Sequence, residues 1–272
     1  MNEMEHTHGD LAVLSNRTRR LQFPSRRVVA FGAVLAALLV AGPAICRALA
    51  AEQPAPAEQA EKAEKPEESA KKEDPFAWKS MFDGKTLDGW KVPTFGGDGE
   101  VAVKDGAIVL GMGDPMTGIT YTGKLPRDNY EVTLEAKRTK GIDFFATTTF
   151  PVGKGHVSFV TGGWAGTVVG ISCVDFYDAS DNMTTRFMAF EDNKWYQIRI
   201  RVSEPKIECW IGDEQMVDLA REGHKFDVRM EVDLCKPFGI SSYATEGVVR
   251  NLRIRCLKPE EVAAIKKEAE KK

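Results

Sequence analysis

The chain has 272 residues, 43% hydrophobic and 28% charged, with a net charge of −3. So mild an acidic balance gives no general pull toward nucleic acid or anionic membranes. Its 5 cysteines form neither a Cys-x-x-Cys spacing nor a Cys/His cluster, which excludes the common zinc sites.

At the N-terminus Arg17, Arg19, Arg20, Arg26 and Arg27 precede an uncharged apolar run over 28–45, and Ala48-Leu49-Ala50 follows as an A-x-A cleavage site. That order of charge, apolar core and small residues predicts an export signal over 1–51. The run is also about as long as the shortest bilayer span, so an uncleaved anchor that tethers the chain to a membrane is the rival. Either way the expected location is outside the cytoplasm: periplasmic, envelope-attached or secreted. Residues 52–75 are mostly Ala, Pro, Glu and Lys; this composition buries too little to offset its ordering entropy and predicts a solvated linker.

Folded sequence is expected from Phe76. In 80–90, SMFDGKTLDGW, Asp83-Gly84 and Asp88-Gly89 are turn pairs and Trp90 is a core anchor. Short strands are predicted at 78–82, 101–103, 107–110, 130–138, 142–150, 156–161, 167–175, 184–190, 238–244 and 248–257, with Gly, Pro, Asn or Asp between most of them.

The clearest pattern lies in 195–211. Tyr196, Ile198, Ile200 and Val202 share one parity, and Gln197, Arg199 and Arg201 the other. Ser203-Glu204-Pro205-Lys206 is turn chemistry, after which Ile207, Cys209 and Ile211 alternate with Glu208 and Trp210. Pairing 202 with 207 sets Arg201 opposite Glu208 and Arg199 opposite Trp210. Cys173, Cys209 and Cys256 fall at apolar parity and read as small buried hydrophobes. Residues 258–272 form a charged helical tail, expected to be a solvated extension. Many short strands and no long helical period predict an all-β sandwich over 76–257.

The stretch SMFDGKTLDGW resembles the opening signature of the 3-keto-disaccharide hydrolase domain family. NYEVTLEAKR (129–138), KWYQI (194–198) and VRNLRI (249–254) resemble further strands of that family, so the likeness spans 76–257. It implies a concanavalin A-like jelly-roll β-sandwich and cleavage of glycosidic bonds in keto-sugars. In the family's "SG-ffR" and "E-Q-lD" strands the polar residues face a concave sheet. The corresponding stretches here are 141–150, with Thr147 or a neighbour in place of the arginine, and 170–175, with Gly170 and Ser172 in place of Glu and Gln and with Asp175 kept.

Glycoside cleavage needs a pair of carboxylates or, for a 3-keto sugar, a base beside the carbonyl with an electrophile near the ketone. Asp175 is the candidate base. Asp178 and Asp181 lie at spacings of three from it and are candidate oxygen ligands for Ca²⁺ or Mg²⁺. Arg199, Arg201, Trp210, Trp164 in its glycine-rich loop, and His156 are candidates to hold a carbohydrate ligand. Three functions stay open: a keto-glycoside-cleaving enzyme centred on Asp175, a non-catalytic glycan-binding module, and a structural envelope domain.

Overall fold

The computed structural model describes residues 74–271. The export signal, the anchor and nearly all of the expected linker lie outside the described residues. Among the described residues no helix is long and apolar enough to cross a membrane.

The alternation over 196–211 folds as read. Strand β11 (Tyr196–Val202) pairs with β12 (Lys206–Ile211) so that Val202 meets Ile207, Arg201 meets Glu208 and Arg199 meets Trp210. Ile198, Ile200, Ile207 and Cys209 are fully buried. Around this hairpin an antiparallel sheet runs β13 (Glu214–Ala220), β12, β11, β6 (Tyr130–Lys140), β15 (Glu246–Cys256), β4 (Ala107–Leu110) and β3 (Val101–Lys104), with β1 (Lys79–Ser80) on β15. A second antiparallel sheet runs β10 (Arg186–Phe187), β9 (Val168–Ser172), β8 (Gly155–Gly162), β7 (Thr147–Val152), β14 (Gly239–Tyr243), β5 (Met116–Tyr121) and β2 (Trp90–Lys91). The two close on one core of Leu134, Phe145, Phe150, Phe159, Ile198, Ile200 and Phe238, among others. This is the expected jelly-roll sandwich. Trp90 is the anchor its motif implied, its indole N–H donating to the Met81 carbonyl at 2.7 Å.

Three elements depart from the sequence reading. Residues 142–146 are not strand: Gly141 has φ +87°, and Asp143 takes the Phe144 N–H on its own carboxylate, so the strand starts at Thr147. Within 184–190 only two residues pair, because Asn182 caps the preceding turn through Thr184 N–H (2.8 Å) and Thr184 hydroxyl (2.7 Å). Strand β5 was hidden in MTGITY, where Gly118 interrupts the apolar alternation; a Cβ there would press on Ile240 O at 2.9 Å and the Phe95 ring.

The outward face of the first sheet carries charge in rows. Arg255, Glu131, Arg201, Glu208 and Asp218 are cross-strand neighbours in turn. Arg201 grips Glu208 with two bonds of 2.7 Å, and Lys206 Nζ stands 3.0 Å from the same carboxylate. Glu208 is 2% exposed, so these pairs are shielded from screening in a way that surface pairs are not. The tail is not a free extension. Helix α1 (Pro259–Ala269) lies on this face with Ile265 buried, Glu261 on Arg255 (2.8 and 2.9 Å) and Glu268 3.6 Å from Lys206.

The Arg255 hydrogen bonds, helped by the Lys258 backbone N–H, pull the Glu261 carboxyl from its ordinary 4.5 down to about 2. A depressed carboxyl contributes stability that is complete above its unfolded value and is lost as pH falls through the folded one. Glu261→Gln should therefore lower the melting temperature at neutral pH. The gap between parent and variant should close as pH falls from 4.5 toward about 2. Melts in stepped buffers read this directly, and a gap that stays constant through that window would sink the assignment.

Candidate functional site

On the second sheet the face turned away from the core is built from hydroxyls. Thr149, Ser158 and Ser172 are direct cross-strand neighbours, and Thr149 Oγ1 meets Ser158 Oγ at 2.9 Å. One row along, Thr147 stands opposite Ser241. The Thr147 hydroxyl is buried and has no hydrogen-bond partner, whereas Ser241 lies against the Cys235 thiol. An orphaned buried hydroxyl is costly, and a ligand oxygen would relieve it.

Above this floor lies a cavity of about 250 Å³, lined among others by Thr147, Ser158, Ser172, Trp164, Tyr243 and Arg229. Its charged groups come from loops. Arg229, just before the 3-10 segment Met230–Cys235, reaches Glu231 through Nε (3.2 Å) and Nη2 (2.6 Å), and Asp178 through Nη1. Asp178 in turn lies within 3.3 Å of Ser172 Oγ and 3.4 Å of Cys173 Sγ. The guanidinium is 5.8 Å from the centre of the Trp164 ring. Glu231 is held below the usual carboxylate range chiefly by the Arg229 hydrogen bonds, and Arg229 is raised in return by Glu231. The cavity also meets Asp143, whose two oxygens accept the Phe144 N–H (2.8 Å) and the Ala165 N–H (2.9 Å). That second bond fixes the turn Gly163–Gly166, in which Trp164 and Ala165 have φ +48° and +64°.

The sequence candidates are divided between two places. Arg199, Arg201 and Trp210 lie on the outward face of the first sheet, with both guanidinium groups over the indole at 3.8 and 5.0 Å. Trp164 and Asp178 belong to the cavity region on the second sheet, so the structure does not bring these two groups together. His156 projects from the same face as Ser158, two residues along β8; its Nε2 is buried without a partner, and desolvation, then Arg127, lower its pKa. Asp175 does not line this cavity. Its carboxylate takes the Lys225 N–H (2.8 Å) and His224 Nδ1 (2.6 Å), and these two bonds, the backbone one first, lower its pKa. His224 belongs to a separate open cleft of about 740 Å³. Asp181 is exposed, with its N–H on the Asp178 carbonyl. Among the described residues no group of three or more His, Cys, Asp or Glu is placed to hold a metal ion.

Sequence reasoning missed Asp143, Arg229, Glu231 and Tyr243. Asp143 lies two residues past Gly141, which follows the end of β6, a usable hint; Arg229 and Glu231 sit in a stretch whose charges carry no pattern. Thr147 and Ser172, by contrast, stand on the face that their alignment with the family strands implied.

Valine keeps the branched shape of threonine without its hydroxyl, so Thr147→Val should leave stability unchanged or raise it by about 1 kcal/mol. Denaturant melts measure this. A loss above about 1 kcal/mol would mean that the hydroxyl is already partnered within the protein.

Among known proteins, residues 77–255 match the family model described as 3-keto-alpha-glucoside-1,2-lyase-like domain. Among solved structures, the chain is similar to a laminarinase from Flavobacterium sp. UMI-01 at 13% identity, covering 67% of this chain and 100% of that one, TM-score 0.46. It is similar to domain 4 of an extracellular arabinanase from Geobacillus stearothermophilus at 17% identity, covering 64% and 85%, TM-score 0.41. It is also similar to the carbohydrate binding module CBM66 from Bacillus subtilis at 12% identity, covering 61% and 95%, TM-score 0.40. No curated protein matches the sequence.

Proposed function

The chain belongs to the 3-keto-alpha-glucoside-1,2-lyase-like domain family, and from that premise we propose that the cavity on its second sheet binds a 3-keto-glycoside and cleaves the glycosidic bond by elimination. The observation that carries this reading is the contact of Arg229 with Glu231 at one wall of a cavity whose floor holds the buried, unpartnered Thr147 hydroxyl. Removing a proton next to a ketone needs a base at the α-carbon and a donor at the carbonyl oxygen, a bond or two apart. An arginine and a glutamate already in contact supply that spacing.

In this reading Arg229 has spent three of its five N–H donors on Asp178 and Glu231, which leaves two for a ligand oxygen. Glu231, kept ionised, takes the proton from C2. The electron pair moves onto the C3 oxygen beside Arg229 as an enolate. Its collapse restores the ketone, forms the C1=C2 double bond and expels the aglycone oxygen with the C1–O pair. Thr147 holds a ring hydroxyl, and Trp164 covers an apolar C–H face. A non-catalytic binding module is the second reading; Thr147, Gly170 and Ser172 favour it, standing where the family strands carry Arg, Glu and Gln.

A 3-keto-glucoside and its parent glucoside separate the readings. The lyase reading expects an enone absorbance from the keto substrate only, with Glu231→Gln losing about 10²-fold or more in kcat and little in KM. Binding without enone would leave the module; neither binding nor turnover would remove both.

Export is part of the same proposal, since the arginine flank, the apolar run and the linker composition precede this domain. Cell fractionation should place the protein outside the cytoplasm, and a cytosolic pool of the whole would overturn this.

A further inference from the structure

Resting on the keto-glycoside reading of the cavity, we infer that Tyr243 is the general acid of the reaction, giving its phenol proton to the leaving oxygen as the C1–O bond breaks. When the leaving group is a sugar or an alkyl alcohol, the elimination would otherwise release an alkoxide. An alkoxide is too basic to depart without a proton.

The donor must line the cavity, hold a proton at rest and give it up readily. Two of the lining side chains are carboxyl groups, and both meet donors on each oxygen: backbone N–H groups at Asp143, Arg229 at Glu231. Each therefore stands unprotonated at rest, which suits Glu231 as the base that takes the C2 proton and bars both as the acid. Arg229 keeps its protons, since a guanidinium pKa lies above about 12. Ser158 shares a hydrogen bond with Thr149, and Ser172 donates to Asp178. These hydroxyls and that of Thr147 are aliphatic, and the Trp164 indole N–H is a weaker acid still. A phenol, with a pKa of about 10, is protonated at neutral pH yet far more acidic than the alcohol it would serve. Of the side chains that line the cavity, Tyr243 is the one that meets all three requirements.

Its setting fits the role. Tyr243 ends β14 two residues after Ser241, so it projects from the same outward face as Thr147. Its ring packs on Phe144 with centroids 5.7 Å apart, and its backbone N–H donates to the Phe144 carbonyl at 3.0 Å. Both contacts fix the ring and leave the hydroxyl uncommitted. The side chain is 37% exposed, so solvent can recharge a spent phenolate. A cavity of about 250 Å³ is on the scale of a single sugar ring, which brings its lining groups within reach of C1 and its neighbours. The protons balance. C2–H breaks onto Glu231, the Tyr243 O–H breaks, a new O–H forms on the departing alcohol, and solvent restores both side chains.

The test is Tyr243→Phe in the full chain, a change that keeps a ring on Phe144; equal melting temperatures check that the fold is intact. With a 3-keto-disaccharide the variant should lose about 10²-fold or more in kcat, with little change in KM. With 4-nitrophenyl 3-keto-glucoside, whose leaving group departs unaided as a phenolate, the loss should be no more than a few-fold. Across substituted phenyl 3-keto-glucosides the parent rate should hardly change with phenol pKa, and the variant rate should fall steeply as that pKa rises. An equal loss on both substrates, no loss on the disaccharide, or a steep dependence already in the parent overturns the acid role and leaves the enone-forming site standing. No enone from any of these compounds with the parent overturns the keto-glycoside reading, and the acid role with it.

Discussion

Because side chains alternate across a pleated strand, every strand of a sandwich has a face that the shared core does not cover. Each sheet of this protein must therefore solve a second packing problem, and the two solve it in opposite ways. The first sheet fills its outward face with paired charge, stacked guanidinium groups and a helix. Arg201, Glu208 and Lys206 close on one another, and α1 lies across them. The second sheet puts small hydroxyls outward and leaves Thr147 buried without a partner. A face whose charges all have partners has little to offer a ligand. A face with orphaned hydroxyls has a free-energy deficit that a ligand can relieve.

That contrast reassigns the residues that stood out in the sequence. Arg199, Arg201 and Trp210 looked functional because they are cations beside an indole. In the fold they stack on one another, and the Trp210 ring is largely buried beneath both guanidinium groups. The proposed site uses Arg229, which no periodicity announces, held between Asp178 and Glu231 on segments outside the two sheets.

Much of the fold was legible because period-two alternation and turn residues are local. The 196–211 hairpin, with its register and cross-strand partners, follows from a dozen side chains. The positions of Thr147 and Ser172 on the outward face followed from family resemblance. Strand β5 was not legible, because glycine and threonine replace the apolar residues that mark a strand and only its neighbours β14 and β2 define it. The site was mostly illegible for a related reason. Asp143, Arg229 and Glu231 meet through loops far apart in sequence, and each alone is an ordinary charged residue. Gly170 shows how a departure can be read afterwards: a Cβ there would stand 3.0 Å from the Thr184 carbonyl oxygen, so the loop over β9 occupies the room a longer side chain would need.

The pairing of β1 with β15, followed at once by α1, has a consequence for how the domain is made. Residues 79–80 find their partners only at 253–254, and the buried charges of β11 and β12 receive their helical cover later still. A ribosome delivers the chain from its N-terminus, so the first sheet stays incomplete until β15 and α1 have been read. During that interval Lys206 and Glu208 have each other but no roof, and β1 has no strand to pair with. Synthesis and closure are thus coupled: contacts of such sequence separation make folding slow, and a chain cut before α1 would yield an unsealed sheet instead of a slightly shorter domain.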